Sequence, residues 1–355
     1  SVKRGKMTAQ QRDSALAERL TVATELSHVA PADLIIEAVF EDLSVKTEIF
    51  EKLDAIAPPG AILATNTSYL DVNAIAAATK RPQDVIGLHF FSPAHVMRLL
   101  EVVVADKTAP DAVATGFALA KKLGKIAVRA GVCDGFIGNR ILSHYRKAAE
   151  YLVMDGASPR EVDAALEDFG FAMGPYAVFD LAGLDIAWAS RKRLAPTRPK
   201  EERYIPISDR LCENGWFGRK TGRGYYLHDA GSKERPANPD ALAIIDEERK
   251  KAGITPRKFS PEEIVERYLT AMICEAARVV EDGTALRPID VDAVFLFGYG
   301  FPRFRGGPLH YADTVGASAL MERIERFSKE DAFYWQVPEL IRKMAADGTC
   351  FSDLN

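Results

Sequence analysis

The chain has 355 residues, of which 47% are hydrophobic and 27% are charged, and its formal net charge is −4. Its length is sufficient for two or three domains with a sizeable core, and its balance of apolar and charged residues is that of a globular protein. The small net charge gives no reason to expect a nucleic acid as partner. No apolar run approaches the roughly 18 residues of a membrane span, and no signal-peptide core follows the polar first residues.

The cysteines are scattered along the chain, without the CxxC or histidine-rich spacing of a zinc site. They are Cys133, Cys212, Cys274 and Cys350. Neither a disulfide framework nor a metal site is therefore expected. This use of cysteine is typical of a reducing compartment, and we predict a cytoplasmic location.

The first part of the chain predicts an α/β domain over residues 1–130. A polar lead-in with a helical pattern over residues 8–20 precedes short apolar runs that alternate with helical patterns. The predicted strands cover residues 33–39, 61–64, 85–88, 102–104 and 125–128, and the predicted helices cover residues 44–53, 72–78 and 111–123. Strands that alternate with helices indicate an open, mostly parallel sheet with helices on both faces.

Polar residues collect at the carboxyl ends of the first three predicted strands, where such sheets bind ligands. They are Glu37 and Glu41 after the first strand, Asn66 and Ser68 after the second, and His89 after the third. The segment from Asn66 to Ser68, taken alone, is more simply interpreted as a turn. Polar residues at successive strand ends favour a ligand site instead.

The stretch from Leu88 to Val104 places one imidazole and one carboxylate in apolar surroundings. His89 ends one apolar run and Glu101 lies near the start of the next, so each needs a polar partner if it is buried. A histidine whose second ring nitrogen meets a carboxylate is held in one tautomer, as a general base requires. On these two residues alone, a structural histidine with an unrelated surface glutamate is an equally good interpretation, and the neighbouring strand ends favour the base.

Residues from 131 onward predict two related helical domains, over residues 131–230 and 231–355. The predicted helices cover residues 135–154, 158–169, 180–193 and 261–281, and residues 195–240 are predicted as a loop region. Four features recur in the same order in both domains. They are a helix that ends in Asp-Gly (at Asp155 and Asp282), a proline four residues before an aspartate (Pro159 and Asp163; Pro288 and Asp292), an aromatic-glycine-aromatic triplet (Phe169-Gly170-Phe171; Phe297-Gly298-Tyr299), and Gly-Pro followed by Asp and Gly at equal offsets (Pro175, Asp180 and Gly183; Pro308, Asp313 and Gly316). The aromatic cluster of the second copy, which consists of Phe295, Phe297, Tyr299, Phe301 and Phe304, is predicted to be core.

These motifs, in this order, resemble the 3-hydroxyacyl-CoA dehydrogenases, and in particular the dehydrogenase part of multifunctional fatty-acid oxidation enzymes. The matching segments are Glu37-Ala38-Val39-Phe40-Glu41, Thr65-Asn66-Thr67-Ser68, the run from His89 to Met97, Leu100-Glu101-Val102-Val103, Gly135-Phe136-Ile137-Gly138-Asn139-Arg140, Met173-Gly174-Pro175, the run from Asp180 to Asp185, and the run from Phe217 to Gly222. The resemblance implies an α/β Rossmann-type sheet domain followed by two tandem all-α domains of the 6-phosphogluconate-dehydrogenase-like type.

The resemblance also implies an activity, the NAD-dependent oxidation of (3S)-3-hydroxyacyl-CoA to 3-oxoacyl-CoA in fatty-acid β-oxidation. It assigns His89 as the general base and Glu101 as the residue that orients and supports it electrostatically. Ser68 and Asn139 are expected to hydrogen-bond the substrate oxygen and the histidine region. Because the hydride acceptor is a cofactor, the protein contributes positioning and charge stabilisation.

On the cofactor side, the resemblance implies that Ala38, Glu41 and Lys46 line the ribose and nicotinamide of NAD, with Asn66 near the nicotinamide ring. The family's Gly-x-Gly-x-x-Gly loop, which binds the pyrophosphate at a helix N-terminus, does not precede the first strand of this sequence. We therefore expect an N-terminally truncated sheet with exposed apolar edges and few contacts to the NAD phosphates.

Two alternative functions remain open. One is a catalytically incompetent fragment that serves as an acyl-CoA-binding or subunit-docking scaffold. The other is a related dehydrogenase of sugar-derived or amino-acid-derived acids, against which the His-Phe-Phe-Ser-Pro run argues. An upstream enoyl-CoA hydratase domain and a thiolase partner are implied for a longer parent. Since a tandem copy can fill the interface that single-copy relatives form between subunits, we predict a monomeric dehydrogenase part.

Overall fold

The computed structural model describes residues 2–229, 231 and 234–355. The strands within these residues are β1 (Leu34–Glu37), β2 (Ile62–Thr65), β3 (Val85–Phe90), β4 (Leu99–Val103) and β5 (Ile126–Ala130). They form one sheet in the order β1-β2-β3-β4-β5. β4 runs antiparallel to β3, and the other neighbours pair in parallel. The predicted open, mostly parallel sheet is confirmed.

The helices of the sheet domain all form where the sequence predicts them, with shifted ends. They are α1 (Ala9–Arg19), α2 (Leu43–Ile56), α3 (Val72–Ala77) and α4 (Pro110–Lys122). Aspartates begin two of them: Asp42 accepts the N–H of Val45 at 3.1 Å, and Asp71 accepts the N–H of Asn73 at 2.8 Å. Each carboxylate satisfies an N–H group that has no partner inside its helix.

The two faces of the sheet pack against different layers. Side chains alternate along a strand, so Leu88 and Val102 are buried against α4 on one face. His89 and Glu101, which are their next neighbours in sequence, point to the opposite face, where the helical part of the chain lies. This alternation places a polar pair between the sheet and the helices.

β1 forms one edge of the sheet and leaves apolar side chains uncovered. Ile36 on this strand is 40% exposed, and Phe40, shortly after it, is 85% exposed. The apolar sheet edge that the sequence predicts is therefore present.

The rest of the chain is helical. Its helices are α5 (Gly138–Asp155), α6 (Pro159–Phe169), α7 (Pro175–Ala182), α8 (Leu184–Leu194), α9 (Ile207–Glu213), α10 (Pro239–Lys251), α11 (Pro261–Glu281), α12 (Pro288–Gly298), α13 (Pro308–Val315), α14 (Ala317–Ser328) and α15 (Glu339–Asp347). Of the helices in the described residues, none combines the length and the apolarity that crossing a membrane requires.

Two sequence predictions for this region are wrong. The helix expected over residues 180–193 is interrupted at Gly183, whose φ of 100° ends α7 and begins α8; glycine adopts such a conformation without steric strain. The loop expected over residues 195–240 contains α9, which buries Ile207, Leu211 and Cys212. The predicted boundary between the helical domains, at residue 230, lies outside the described residues.

The internal repeat extends to the hydrogen bonds of buried aspartates. Asp163 accepts two backbone N–H groups at the start of α7, at 2.8 and 3.0 Å, and Asp292 accepts two at the start of α13, at 2.8 and 3.1 Å. Asp180 and Asp313 each accept two N–H groups from a later segment of their own copy. The two copies therefore share local structure as well as sequence pattern.

The two copies and the sheet pack into one body. α5 packs against α11, and α12 packs against β4 and β5. Buried side chains of the sheet and of both copies form one continuous cluster. The approach is close at Gly298, where an added Cβ would lie 2.4 Å from Cδ2 of Leu99. The second copy thus reaches the strand that carries Glu101.

Candidate active site

His89 and Glu101 form a buried pair across β3 and β4. They are direct cross-strand partners, and Nδ1 of His89 lies 2.6 Å from Oε2 of Glu101. His89 is 4% exposed and Glu101 is fully buried. In a neutral imidazole, the nitrogen that faces a carboxylate carries the proton, and the other keeps its lone pair. The pair therefore presents a base at Nε2.

The start of α5 holds the second oxygen of Glu101. Oε1 accepts the N–H of Ile137 at 3.2 Å and the N–H of Gly138 at 3.0 Å. The first N–H groups of a helix have no partner inside it, and the helix dipole favours negative charge there. Phe136 turns the chain into this helix with a φ of 52°, which bulky residues rarely adopt. This turn fixes the orientation of the carboxylate toward His89.

Aromatic rings enclose the imidazole. The ring centroid of Phe91 lies 4.4 Å from that of His89, and the centroid of Phe136 lies 5.7 Å from it. Tyr299, from the second helical copy, packs its ring edge to face with Phe91 at 5.5 Å. These rings limit the access of water to His89, which strengthens the polar contacts that His89 makes.

Asn139, in the first turn of α5, connects the sheet domain to the second helical copy. Its Nδ2 donates to the main-chain carbonyl of Ser68 over a long 3.5 Å, and its Oδ1 accepts from the hydroxyl of Tyr299 at 2.8 Å. The structure thus brings Ser68 and Asn139 together beside the helix start that binds Glu101. Within the part of the chain that the structure describes, neither Ser68 nor Asn139 is hydrogen-bonded to His89.

Two of the predicted cofactor residues hold the segments that carry Ser68 and His89. Oε1 of Glu41 accepts the N–H of Ser68 at 2.7 Å. Oδ1 of Asn66 accepts the N–H of Phe90, the residue after His89, at 2.8 Å. Glu41 and Asn66 therefore hold the main chain at Ser68 and beside His89, a role that the sequence did not indicate.

Lys46, another predicted cofactor residue, lies in a buried ion pair. Its Nζ is 2.7 Å from Oε1 of Glu37 and 3.5 Å from Oε2 of Glu41. The side chains of Lys46 and Glu37 are each 1% exposed. The other oxygen of Glu37 accepts the hydroxyl of Thr65 at 2.7 Å. Lys46 balances the carboxylates of Glu37, at the end of β1, and Glu41, and its contact with the cofactor stays a prediction.

The groups at the carboxyl ends of β1 and β2 fit the nicotinamide half of NAD. Ala38 is exposed directly after β1 and has no side chain beyond Cβ, so a ribose can approach the main chain. Asn66 uses its Oδ1 within the protein and retains an amide NH2 that suits a carboxamide oxygen. Glu41 is partly exposed and has the acceptor chemistry that ribose hydroxyls require. The sequence before β1 holds no Gly-x-Gly-x-x-Gly loop for the pyrophosphate.

A cavity of about 280 Å³ is lined by residues that adjoin Ser68 in sequence and Asn139 on α5. Its lining includes Tyr69, the neighbour of Ser68 in sequence. Leu142 and Ser143 also line it, and these residues follow Asn139 on the same face of α5. These lining residues place the cavity near Asn139 and Ser68, neither of which lines it.

The sequence matches two family models. The model described as 3-hydroxyacyl-CoA dehydrogenase, NAD binding domain, matches residues 1–133, and the model described as 3-hydroxyacyl-CoA dehydrogenase, C-terminal domain, matches residues 135–228 and 264–350. The chain belongs to the 3-hydroxyacyl-CoA dehydrogenase family. The two stretches that match the C-terminal domain fall on the two helical copies. The predicted family, its fold class and NAD as its cofactor are confirmed.

Similar proteins include members of this dehydrogenase family from animals and bacteria. The peroxisomal bifunctional enzyme of Danio rerio is 44% identical over 351 residues, which cover 95% of this chain and 49% of that protein. The crystal structure of 3-hydroxybutyryl-CoA dehydrogenase from Escherichia coli has a TM-score of 0.82 at 27% identity and covers 100% of this chain and 89% of that chain. The crystal structure of the dehydrogenase part of multifunctional enzyme 1 from Caenorhabditis elegans has a TM-score of 0.67 at 27% identity and covers 96% and 78%. The chain spans about half the length of the curated relatives it matches.

Tyr299 is a site residue that the sequence analysis assigned to the core. Of the predicted aromatic cluster, Phe295 and Phe301 are buried, whereas Phe304 is 76% exposed, so its assignment to the core is wrong. Tyr299 packs against the core cluster, as predicted, and its hydroxyl also contacts Asn139. The available signal was the aromatic-glycine-aromatic triplet, which ends in a tyrosine in this copy and in Phe171 in the other.

Proposed function

We propose that the chain oxidises (3S)-3-hydroxyacyl-CoA to 3-oxoacyl-CoA with NAD, as a step of fatty-acid β-oxidation. The observation that carries this proposal is the buried pair of His89 and Glu101, which leaves Nε2 of the imidazole as a base at the end of β3. Ser68 and Asn139 meet nearby and offer hydrogen bonds to a substrate oxygen. Membership of the family supports an acyl-CoA as the substrate.

The reaction removes a proton from the 3-hydroxyl and a hydride from C3. In the proposed step, Nε2 of His89 accepts the hydroxyl proton while the C3–H bond breaks, and the C–O bond becomes a carbonyl. The hydride, which carries the electron pair of the C3–H bond, passes to NAD, and NAD is the oxidant when it is bound. The imidazolium formed on His89 faces the carboxylate of Glu101 at 2.6 Å, which stabilises the new positive charge.

Two hydrogen-bond donors near the base can stabilise the negative charge that develops on the substrate oxygen. As the proton leaves, negative charge builds on this oxygen, and the NH2 of Asn139 and the hydroxyl of Ser68 donate to it. Donors held in place before the reaction need no reorganisation when this charge develops. Glu41 holds the main chain of Ser68, and Tyr299 holds Asn139. The main chain of Ser68 and the side-chain amide of Asn139 are thus held within the protein.

We place the acyl chain of the substrate in the cavity beside Asn139. Apolar side chains such as Leu142 and Leu194 line it. Several charged lining residues are paired, as Lys147 is with Glu202 at 2.9 Å, whereas Arg198 lies over the ring of Tyr204 and donates to the main-chain carbonyl of Arg191. The paired residues leave the apolar part of the lining to an aliphatic chain. The thioester and the CoA then extend away from this cavity.

The names of the relatives support a place in a longer multifunctional enzyme. An enoyl-CoA hydratase domain elsewhere in that enzyme would supply the 3-hydroxyacyl-CoA that is consumed here. The thiolase partner and the monomeric state of the dehydrogenase part stay predictions. The compartment also stays a prediction, and the relatives named as peroxisomal make the peroxisome an alternative to the cytoplasm.

The test is NADH formation by the full-length protein with three substrates: (3S)-3-hydroxybutyryl-CoA, its (3R) isomer, and free 3-hydroxybutyrate. We expect turnover of the (3S) thioester and at least a hundredfold lower rates with the other two. Binding of the thioester without any turnover would favour the scaffold function. Faster turnover of the free acid would favour the dehydrogenases of acids without CoA.

A further inference from the structure

We propose that Tyr299, supplied by the second helical copy, is a positioning residue that fixes the side-chain amide of Asn139. This inference rests on the proposed function, in which Asn139 donates to the substrate oxygen. It assigns the second copy a part in the chemistry of the first, although only the first copy contains the Asn139 motif.

The hydrogen bonds define which way the amide of Asn139 faces. The carbonyl oxygen of Ser68 only accepts hydrogen bonds, so the group of Asn139 that faces it is the NH2, at 3.5 Å. The amide oxygen then faces Tyr299, whose hydroxyl donates to it at 2.8 Å. The contact with Ser68 is long and weak, whereas the contact with Tyr299 has ordinary length. Tyr299 is therefore the stronger constraint on this orientation.

The hydroxyl of Tyr299 is a reliable donor. Burial, reinforced by the negative charge of Glu101, raises its pKa well above the usual value for tyrosine. The hydroxyl therefore stays protonated throughout the physiological range of pH. A neutral hydroxyl that donates to Oδ1 leaves both hydrogens of Nδ2 for Ser68 and the substrate oxygen.

Close packing holds the ring of Tyr299 at this position. A Cβ on Gly138 would lie 2.2 Å from Cε2 of Tyr299, so only glycine at position 138 admits the ring. The N–H of Gly138 binds Glu101 at 3.0 Å, and the ring of Tyr299 also packs against Phe91, which contacts His89. Tyr299 thus contacts Asn139 through its hydroxyl and contacts Phe91, the neighbour of His89, through its ring.

The internal repeat shows that the hydroxyl is not required by packing alone. Phe171 occupies the matching position of the first copy's triplet, and its ring packs edge to face with Phe301 and Tyr268 without a hydroxyl. A phenylalanine at position 299 is therefore compatible with this type of packing. The hydroxyl of Tyr299 therefore serves its contact with Asn139 rather than the packing of the ring.

The experiment compares Y299F with the wild type in the full-length protein, with (3S)-3-hydroxybutyryl-CoA as substrate. We expect kcat to fall about tenfold and KM for the thioester to rise less than about threefold, because the lost bond orients a donor used most in the transition state. Y334F is the matched control: Tyr334 is in the second copy and its hydroxyl donates to the main-chain carbonyl of His144 at 2.7 Å. It should leave kcat unchanged, and an equal loss in Y299F and Y334F would overturn the proposal.

A double-mutant cycle with N139A separates positioning from a structural role. If Tyr299 acts through Asn139, Y299F lowers kcat less than twofold in the N139A background. Independent, multiplying losses would overturn the proposal, and so would a wild-type kcat in Y299F.

The binding of acetoacetyl-CoA to the wild type, Y299F, N139A and the double variant can be measured by calorimetry. This measurement tests the role of Tyr299 even if the protein shows no turnover. A two- to threefold rise in Kd in Y299F that vanishes in the N139A background would support it in a protein whose proposed reaction had failed. Equal Kd values for the wild type and Y299F in such a protein would overturn it.

Discussion

His89 and Glu101 lie directly opposite each other on antiparallel strands, with Nδ1 of the imidazole 2.6 Å from Oε2 of the carboxylate. This pairing depends on the register of β3 and β4. Side chains alternate between the faces of a sheet, so a slip of one residue would turn one partner to the opposite face. The antiparallel pairing in an otherwise parallel sheet therefore positions the base.

Glu101→Gln should abolish most of the activity and leave the stability of the folded protein nearly unchanged. The amide oxygen of a glutamine can still accept from Ile137 and Gly138, but its NH2 would face Nδ1 of His89. The imidazole would then carry its proton on Nε2 and could not accept one from the substrate. We expect kcat to fall about 10²- to 10⁴-fold, measured as NADH formation. A kcat within a few fold of the wild type would show that Glu101 does not set the tautomer.

Lys46→Met should destabilise the sheet domain. The change leaves Glu37 buried without its cation, and an uncompensated buried charge costs about 3–5 kcal/mol. Lys52→Met is the matched control, because Lys52 pairs with Glu48 at 2.6 Å on the exposed face of α2. We expect about 1 kcal/mol or less from the control in urea unfolding. Wild-type stability in K46M, with a raised KM for NAD, would instead make Lys46 a cofactor residue.

His144 should make the folded protein sensitive to acid. Its ring stacks on Tyr334 with centroids 4.5 Å apart, and burial, partly opposed by Glu275, lowers the pKa of His144 to about 3. The unfolded chain takes up this proton below about pH 6.5, whereas the folded chain does so only near pH 3. This contribution to stability is complete above about pH 6.5 and is lost as the pH falls toward 3.

Replacing the ring tests this linkage. His144→Phe should reduce the loss of unfolding free energy between about pH 6.5 and 4 by on the order of 3 kcal/mol, measured by urea unfolding at each pH. His95→Phe, at an exposed position, serves as the control. Identical acid dependence in the wild type and H144F would contradict the account.

Ala187→Phe should shorten the acyl chains that the enzyme accepts. Ala187 lines the cavity beside Asn139, and a phenylalanine there would occupy part of its volume. We expect kcat/KM to fall about tenfold or more for a long-chain substrate and little for the four-carbon substrate. Ala189→Phe, on the exposed side of the same helix, is the control. Equal losses for both chain lengths would place the acyl chain elsewhere.

The sequence predicts which residues form the candidate site because they lie in short segments with strong patterns. His89 ends an apolar strand, Glu101 interrupts another, and Asn139 opens a long apolar helix within a recognisable motif. Strand and helix periodicity, together with family motifs, were sufficient for the order of the elements. The mostly parallel arrangement of the sheet and the internal repeat followed from the same signals, whereas the antiparallel direction of β4 did not.

The partners that hold these residues could not be predicted, because packing between distant segments selects them. Tyr299 lies 160 residues beyond Asn139 and reaches it only because α12 packs against β4 and β5. Lys46 fits a surface helix by its charge, yet it is buried because Glu37 faces it across the end of β1. The conformation of Gly183, which divides a predicted helix, is likewise set by how α7 and α8 pack.

The most direct test of the proposed mechanism is the rate of NADH formation from (3S)-3-hydroxybutyryl-CoA by the full-length protein and its H89Q variant. His89→Gln keeps a polar side chain opposite Glu101 and removes the imidazole base. We predict that kcat falls by at least about a hundredfold, with the unfolding midpoint within a few degrees of the wild type. A folded H89Q protein that keeps the wild-type kcat would contradict the assignment of His89 as the base.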